Sequence, residues 1–522
     1  MKLKYLTLAV TAYAALSHNA YAAGLDPKTI ASGFTLRFAG ASAVDNLVFD
    51  STLRDICASN ISVLNKPATT SLPHKLGNYF GVACTAKTTA QNAKIDPTIS
   101  GQNIMLLKRS AGGSAYGVNT LLTDPPTPIT QIDPSTCVPD ATGNYTSTIP
   151  SVGTVSAYTC SNTVANVSDL PQDAGISDVN PEMFKGVNTP AGFTGVLAAN
   201  VVPRFGKVKS VVGQTFGVVV STNLRNNLQV AQFGATSTCI GSDAIACMPS
   251  LSKELVASLF SGKVTNWNYI RVNGTAFTSM PGVTPPTSVG ANYPVRICRR
   301  VPGSGTQASI NNWILDNPCN NAGLTPSTGN TPNVAQGSGS SDTTNCLKAW
   351  NTGTPQTIAT DVAPGTFTVG AAGTTGWAIG PMGLEKADAN FKFVKIDGIA
   401  PTDTNVHDGK YAMWSEMTIQ YRVDTTGGTI PLSGAKLGFV NSLKSMMGAA
   451  TNLASLNALL PNWTALGGAY LALSTNTGQV PDAVLNRTIN PVVAFTHTTT
   501  STDNCRVPAM NPTHAAKTPL GF

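Results

Sequence analysis

The sequence predicts an α/β protein of two or more domains. Short apolar runs alternate with helical patterns, several of those runs end in a Gly/Ser turn that opens a helix, and 522 residues exceed what one core supports. Phe34, Leu36 and Phe38 alternate with polar residues before Gly40, the period of a strand. Val44, Leu47 and Val48 then follow Ser42 at helical spacing. Residues 104–107 form a continuous apolar run closed by Lys108 and Arg109, as a buried strand would, and residues 216–220 and 295–298 read the same way. A helix is expected over 251–260, stopped by Gly262. Another follows residues 303–306, with Ile310, Trp313 and Ile314 on one face, and 437–460 is helical with internal breaks.

The first residues predict export. Lys2 and Lys4 precede an apolar run over 6–16, and Ala20-Tyr21-Ala22 supplies the small-x-small pattern of a cleavage site. The run is too short to stay as a membrane anchor. Residues 1–22 are therefore expected to be a cleaved signal peptide, which places the mature chain in the periplasm or outside the cell. Charged residues make up 11% of the chain, against roughly 25% in ordinary soluble domains. The formal charge of +7 falls by two once Lys2 and Lys4 are removed. That excess is compatible with an anionic ligand, and no Lys/Arg-rich run points to nucleic acid.

Ten cysteines and an oxidising compartment imply disulfides. Proximity along the chain pairs Cys57 with Cys84, Cys137 with Cys160, Cys239 with Cys247 and Cys319 with Cys346, leaving Cys298 for Cys505. Residues 124–174 and 317–366 are rich in Ser and Thr, with Pro in the first and Asn and Gly in the second. They read as surface insertions, each tied by its own disulfide.

The sharpest local feature is Arg300-Val301-Pro302-Gly303-Ser304-Gly305-Thr306. A strand ends, a glycine-flanked turn follows and a helix begins. Free amides and the positive end of the helix dipole favour an anion there. Ser304 and Thr306 can donate from their hydroxyls, and Arg300 adds a bidentate charge. Gly40-Ala41-Ser42 and Ser110-Ala111-Gly112-Gly113 repeat the design, each expected to open a helix. Any one of them alone reads first as a simple helix cap. Three together can converge on one dianion.

The stretch Leu259-Phe260-Ser261-Gly262-Lys263-Val264-Thr265-Asn266-Trp267-Asn268 resembles the periplasmic phosphate-binding proteins of ABC transporters and their extracellular relatives. Arg300 to Thr306 is similar to that family's Arg-x-x-Gly-Ser-Gly-Thr anion loop. Gly376-Trp377-Ala378-Ile379-Gly380 and Asp408-Gly409-Lys410-Tyr411 follow in the expected order. The resemblance implies a two-lobed, periplasmic-binding-protein-like α/β fold with crossover strands. Residues 23–212 and 416–522 would make lobe one and 213–415 lobe two, with the anion clamped between them by hinge closure.

The resemblance also implies a ligand set: Ser42, the amide of Ala43, Ser110, Asp178 from Gly175-Ile176-Ser177-Asp178, Arg300, Ser304, Gly305 and Thr306. A buried carboxylate at Asp178 would accept a hydrogen bond from hydrogen phosphate and repel sulfate; the plainer reading is a surface Asp in a turn. Two positions depart from the family. Ala43 stands where an aromatic residue is common, and Pro302 replaces an acid two positions after the loop arginine. The second leaves open another oxyanion or a phosphorylated molecule.

The implied function is a monomeric binding protein for phosphate or another small oxyanion, without cofactor or metal, with an inner-membrane ABC permease as candidate partner. A secreted or surface relative without a transport role and a phosphatase-like enzyme are the alternatives. The enzyme reading lacks a nucleophile motif or metal set: His74, His407, His497 and His514 sit in none, and no Walker loop is present.

Overall fold

The computed structural model describes residues 24–69, 74–149, 152–161, 171–287, 292–360 and 365–517; the expected signal peptide lies outside them. One sheet organises the fold. Of its 16 strands among the described residues, the ones that frame the site and the lobes are β1 (Thr35–Gly40), β2 (Cys57–Leu64), β3 (Tyr79–Ala86), β4 (Asn103–Arg109), β5 (Thr154–Thr159), β6 (Ala174–Ser177), β7 (Ser210–Ser221), β8 (Val295–Arg300), β9 (Val334–Gly337), β10 (Trp377–Gly383) and β11 (Trp414–Gln420). In space they run β9-β8-β10-β7-β11-β6-β1-β4-β3-β2-β5.

Two lobes follow from this order. β1 is parallel to both β4 and β6, and β8 is parallel to both β9 and β10. The two parallel groups are joined by β7 and β11, which are antiparallel to each other. Residues 210–215 of β7 pair with β11, and residues 216–220 pair with β10. β7 is buried along all 12 residues, as a strand covered on both faces must be. The fold is thus a two-lobed α/β architecture with crossover strands.

Helices form where caps and apolar spacing agree. Residues after Ser42 enter α1 (Asp45–Asp50). Ser252 accepts from the Leu255 amide to start α2 (Lys253–Phe260), and Gly262 follows at φ 70°. After β8 come α3 (Gly305–Leu315) and α4 (Ser340–Thr352). The expected broken helix over 437–460 is α5 (Gly434–Met447) followed by α6 (Ala450–Asn457). The turn after Ser110 opens only a 3-10 segment (Ser114–Gly117) and one α turn (Asn119–Leu122), shorter than the helix expected there.

Three of the expected disulfides form: Cys57–Cys84, Cys137–Cys160 and Cys239–Cys247. The other two are exchanged. Cys298 on β8 bonds Cys346 on α4, with Cα atoms 5.6 Å apart, because α4 packs over the strand that carries Cys298. Cys319, just beyond α3, bonds Cys505 in the C-terminal segment. Neither supposed insertion is a mere surface excursion. β5 lies within 124–174 and extends the sheet beside β2. β9 and α4 lie within 317–366, and Cys346, Leu347, Ala349 and Trp350 are buried in the core. Polar composition hid both, since only alternate faces of these elements are apolar.

Candidate functional site

The parallel strands set the site. β1, β4 and β6 are neighbours running the same way, so their C-terminal ends lie along one edge, where open α/β sheets place ligands. Those ends lead into Ser42, Ser110 and Asp178. In the other lobe, β8 ends at Arg300 and its loop opens α3.

The two edges meet. Arg300 is 2% exposed, and its Nη2 donates to Ser42 Oγ across the lobes at 3.4 Å. The same guanidinium donates to the Ser338 carbonyl at 2.6 Å and to Ser340 Oγ at 3.2 Å. Its Nε has no partner among the described residues. Burial pulls the guanidinium below its ordinary value, and the charge of Asp178, then that of Asp342, opposes this.

Asp178 is 2% exposed. Its Oδ2 accepts from Thr306 Oγ1 at 3.4 Å, and its amide donates to Ser114 Oγ at 3.2 Å. Its Oδ1 is buried without a partner among the described residues. Burial raises the carboxyl to about 7, with Arg300 opposing and the charge of Glu385 adding to the rise. Asp178 is therefore the buried carboxylate expected from the sequence, not a surface turn.

Backbone geometry brings the helix start close. Gly303 has φ 93°, a conformation suited to glycine, and its carbonyl accepts from the Ala115 amide of the opposite lobe at 2.8 Å. A Cβ on Gly305 would lie 2.6 Å from Asp178 Cβ and 2.5 Å from Ser114 Oγ. Ser304 caps α3 by accepting from the Gln307 amide at 3.3 Å. That bond uses the oxygen and leaves the Ser304 proton to donate. The Gly305 and Thr306 amides, in the first turn of α3, and the Ala43 amide have no acceptor among the described residues.

Ser110 behaves differently. Its Oγ lies 2.7 Å from both Asp45 oxygens and 2.9 Å from Lys108 Nζ. The hydroxyl donates to Asp45 and accepts from Lys108, so in this arrangement it is already engaged. Lys108 is fully buried, ringed by the carbonyls of Gly40, Ala41 and Arg109 and 3.1 Å from Asp45 Oδ1. Burial pushes Lys108 down and Asp45 up, and their mutual attraction opposes both shifts. Sequence reading saw Lys108 only as the end of a strand and missed Asp45, Ser114, Ser338, Ser340 and Glu385. A lysine closing an unbroken apolar run was the one local sign.

The structure therefore brings Ser42, Asp178, Arg300, Gly305 and Thr306 together, with Ser304 and the Ala43 amide beside them and Ser110 turned into the Lys108–Asp45 pair. Surface cavities lined by Arg225 and Asp243, and by Lys94, Lys209 and Lys444, lie elsewhere.

Residues 217–434 match the PBP superfamily domain. The matched span holds Arg300 to Thr306 and the motifs at 259–268, 376–380 and 408–411, whereas Ser42, Ser110 and Asp178 precede it. Among solved structures, the chain is similar to a protein of Clostridium perfringens described as a phosphate ABC transporter substrate-binding protein with bound phosphate. The two are 10% identical, with TM-score 0.38, over 81% of this chain and 96% of that one. PstS from Borrelia burgdorferi is 10% identical, with TM-score 0.31, over the same shares of each chain. An ABC-type phosphate transport receptor from Vibrio cholerae is 13% identical, with TM-score 0.28, over 52% of this chain and 74% of that one. No curated protein matches the sequence.

Proposed function

Because residues 217–434 carry a PBP superfamily domain, we propose that the protein is an exported, non-enzymatic binding protein for a small oxyanion, with inorganic phosphate its first ligand. One observation carries the reading: Arg300 and Asp178 are each left with a buried polar atom that no described protein group satisfies. Native proteins leave few such atoms, and an ion between them accounts for both. The guanidinium and the free amides of Ala43, Gly305 and Thr306 offer charge and donors to the anion. Asp178 offers an acceptor, which suits a ligand that still carries a proton and disfavours sulfate.

The lobes in this reading are residues 23–212 with 416–522, and 213–415, hinged where β7 and β11 cross. Pairing of all ten cysteines fits an oxidising compartment. Transport through a permease is a separate step that this site does not require. Asp342 from α4 and Asp178 supply negative charge beside Arg300, so the loss of the family's acid at Pro302 is met from other elements.

Equilibrium dialysis with labelled phosphate tests the reading. Wild-type protein binds, and Arg300→Ala loses binding by at least about a hundredfold, the scale of a buried charge-assisted contact of roughly 3 kcal/mol. Equal binding by the two proteins would overturn it.

A further inference from the structure

Two buried carboxylates, Asp178 and Glu385, act by charge on Arg300. Glu385 follows β10 and is fully buried. Its Oε2 accepts from Gln214 Nε2 at 2.9 Å, while its Oε1 has no partner among the described residues. Its charge acts on Asp178 and Arg300, and also on Tyr470, whose hydroxyl donates to the Ala43 carbonyl at 2.8 Å. Gln214 and Thr215 sit on the crossing strand β7, and Gln214 Oε1 and Thr215 Oγ1 are likewise buried without partners. The bond to Glu385 fixes which end of the Gln214 amide is oxygen.

Among the unsatisfied side-chain atoms the balance is lopsided, whatever the free backbone amides add as donors. Asp178 Oδ1, Glu385 Oε1 and Gln214 Oε1 are acceptors, Thr215 Oγ1 can act either way, and Arg300 Nε is the one obligate donor among these five. A fully ionised anion brings only acceptors and leaves those oxygens unmet. A ligand that brings O–H groups satisfies them.

Charge points the same way. The charged and titratable groups that interact with Glu385 are Arg300, Asp178, Tyr470 and the adjacent Lys386. Asp342 is held by the Gly339 and Ala359 amides. Burial raises both Glu385 and Asp178, so the site favours bound protons.

We propose that Glu385 is the second carboxylate of the anion site to accept a hydrogen bond from its ligand, and that the site takes its oxyanion in the doubly protonated, singly charged form. The inference rests on the anion-binding reading above and narrows its ligand class to weak-acid oxyanions that keep two protons near neutral pH. Phosphate and arsenate belong to that class, and sulfate does not.

Calorimetric titration of the full protein with inorganic phosphate, at pH 6 and pH 8 and in two buffers of different ionisation enthalpy, tests it. Binding weakens roughly tenfold per pH unit above neutral, and about one proton is taken up per phosphate at pH 8. Glu385→Gln keeps the shape of the side chain and flattens the pH dependence of phosphate binding to less than about threefold per unit. No proton uptake by the wild type at pH 8, or an unchanged pH profile in the variant, would overturn the role of Glu385 while leaving anion binding standing. A wild-type protein that binds no phosphate at either pH overturns the inference and the reading beneath it together.

Discussion

Asp178 holds its proton against the ordinary habit of a carboxyl. An unfolded chain ionises Asp near 4, and the folded protein ionises Asp178 at about 7. Between those values the native state binds a proton that the unfolded chain has released, so this group makes stability fall as pH rises. Asp178→Asn cannot ionise. Its stability relative to wild type is expected to be near zero at pH 4 and to grow to the order of 4 kcal/mol by pH 8. Thermal unfolding of both proteins across that range checks it, and a difference independent of pH would contradict the buried, unpaired placement. Asp178 was legible only through the Gly175-Ile176-Ser177-Asp178 resemblance, and most buried charges have no such motif. Arg300, Ser304 and Thr306 were readable because their roles are local: a strand end, a cap and a helix start. Lys108, Asp45 and Glu385 were not, because a buried charge is written with the same letter as a solvated one. Only pairing across distant strands reveals that Lys108 lies under Gly40 and Ala41.

At the scale of elements, α3 is the part most finely placed. Its first residue has no room for a side chain, since a Cβ there meets Asp178 and Ser114. Gly305→Ala improves helix propensity by about 1 kcal/mol yet forces the helix start away from Asp178. Phosphate affinity is expected to fall at least about tenfold, read by the same dialysis, while far-ultraviolet circular dichroism stays unchanged. Full affinity in this variant would mean that the lobes need not approach as closely as they do here. Strands and helices with strong apolar periods were legible: β1, β4, β8, α2 and α3 all stand where the pattern put them. β9 and α4 escaped because their polar faces dominate the composition of 317–366, while Leu347, Ala349 and Trp350 turn inward.

Across the whole molecule, the lobes are tied in several ways besides the anion site. Asn311 on α3 donates to Asn188 Oδ1 at 2.8 Å, and Asn312 donates to the Asn504 carbonyl at 2.8 Å. Asn504 in turn donates its amide to Asn180 Oδ1 at 2.9 Å, and the Cys319–Cys505 bond fastens the same C-terminal segment to the end of α3. Ala308 of α3 packs with Val118, Met183 and Phe184 of the first lobe. Proximity along the chain found the three disulfides that close loops of 8 to 27 residues. It failed for Cys298–Cys346 and Cys319–Cys505, where sheet order and the closing of the lobes decide the partner. In the proposed site, separate segments from both lobes aim at one proton-bearing oxyanion. Anomalous diffraction from crystals grown with arsenate, a heavier analogue of phosphate, tests it most directly. One strong arsenic peak is expected within hydrogen-bonding reach of Arg300, the α3 amides and Asp178; a fully occupied peak only at the Lys94, Lys209 and Lys444 cavity, with none beside Arg300, would overturn the proposed site.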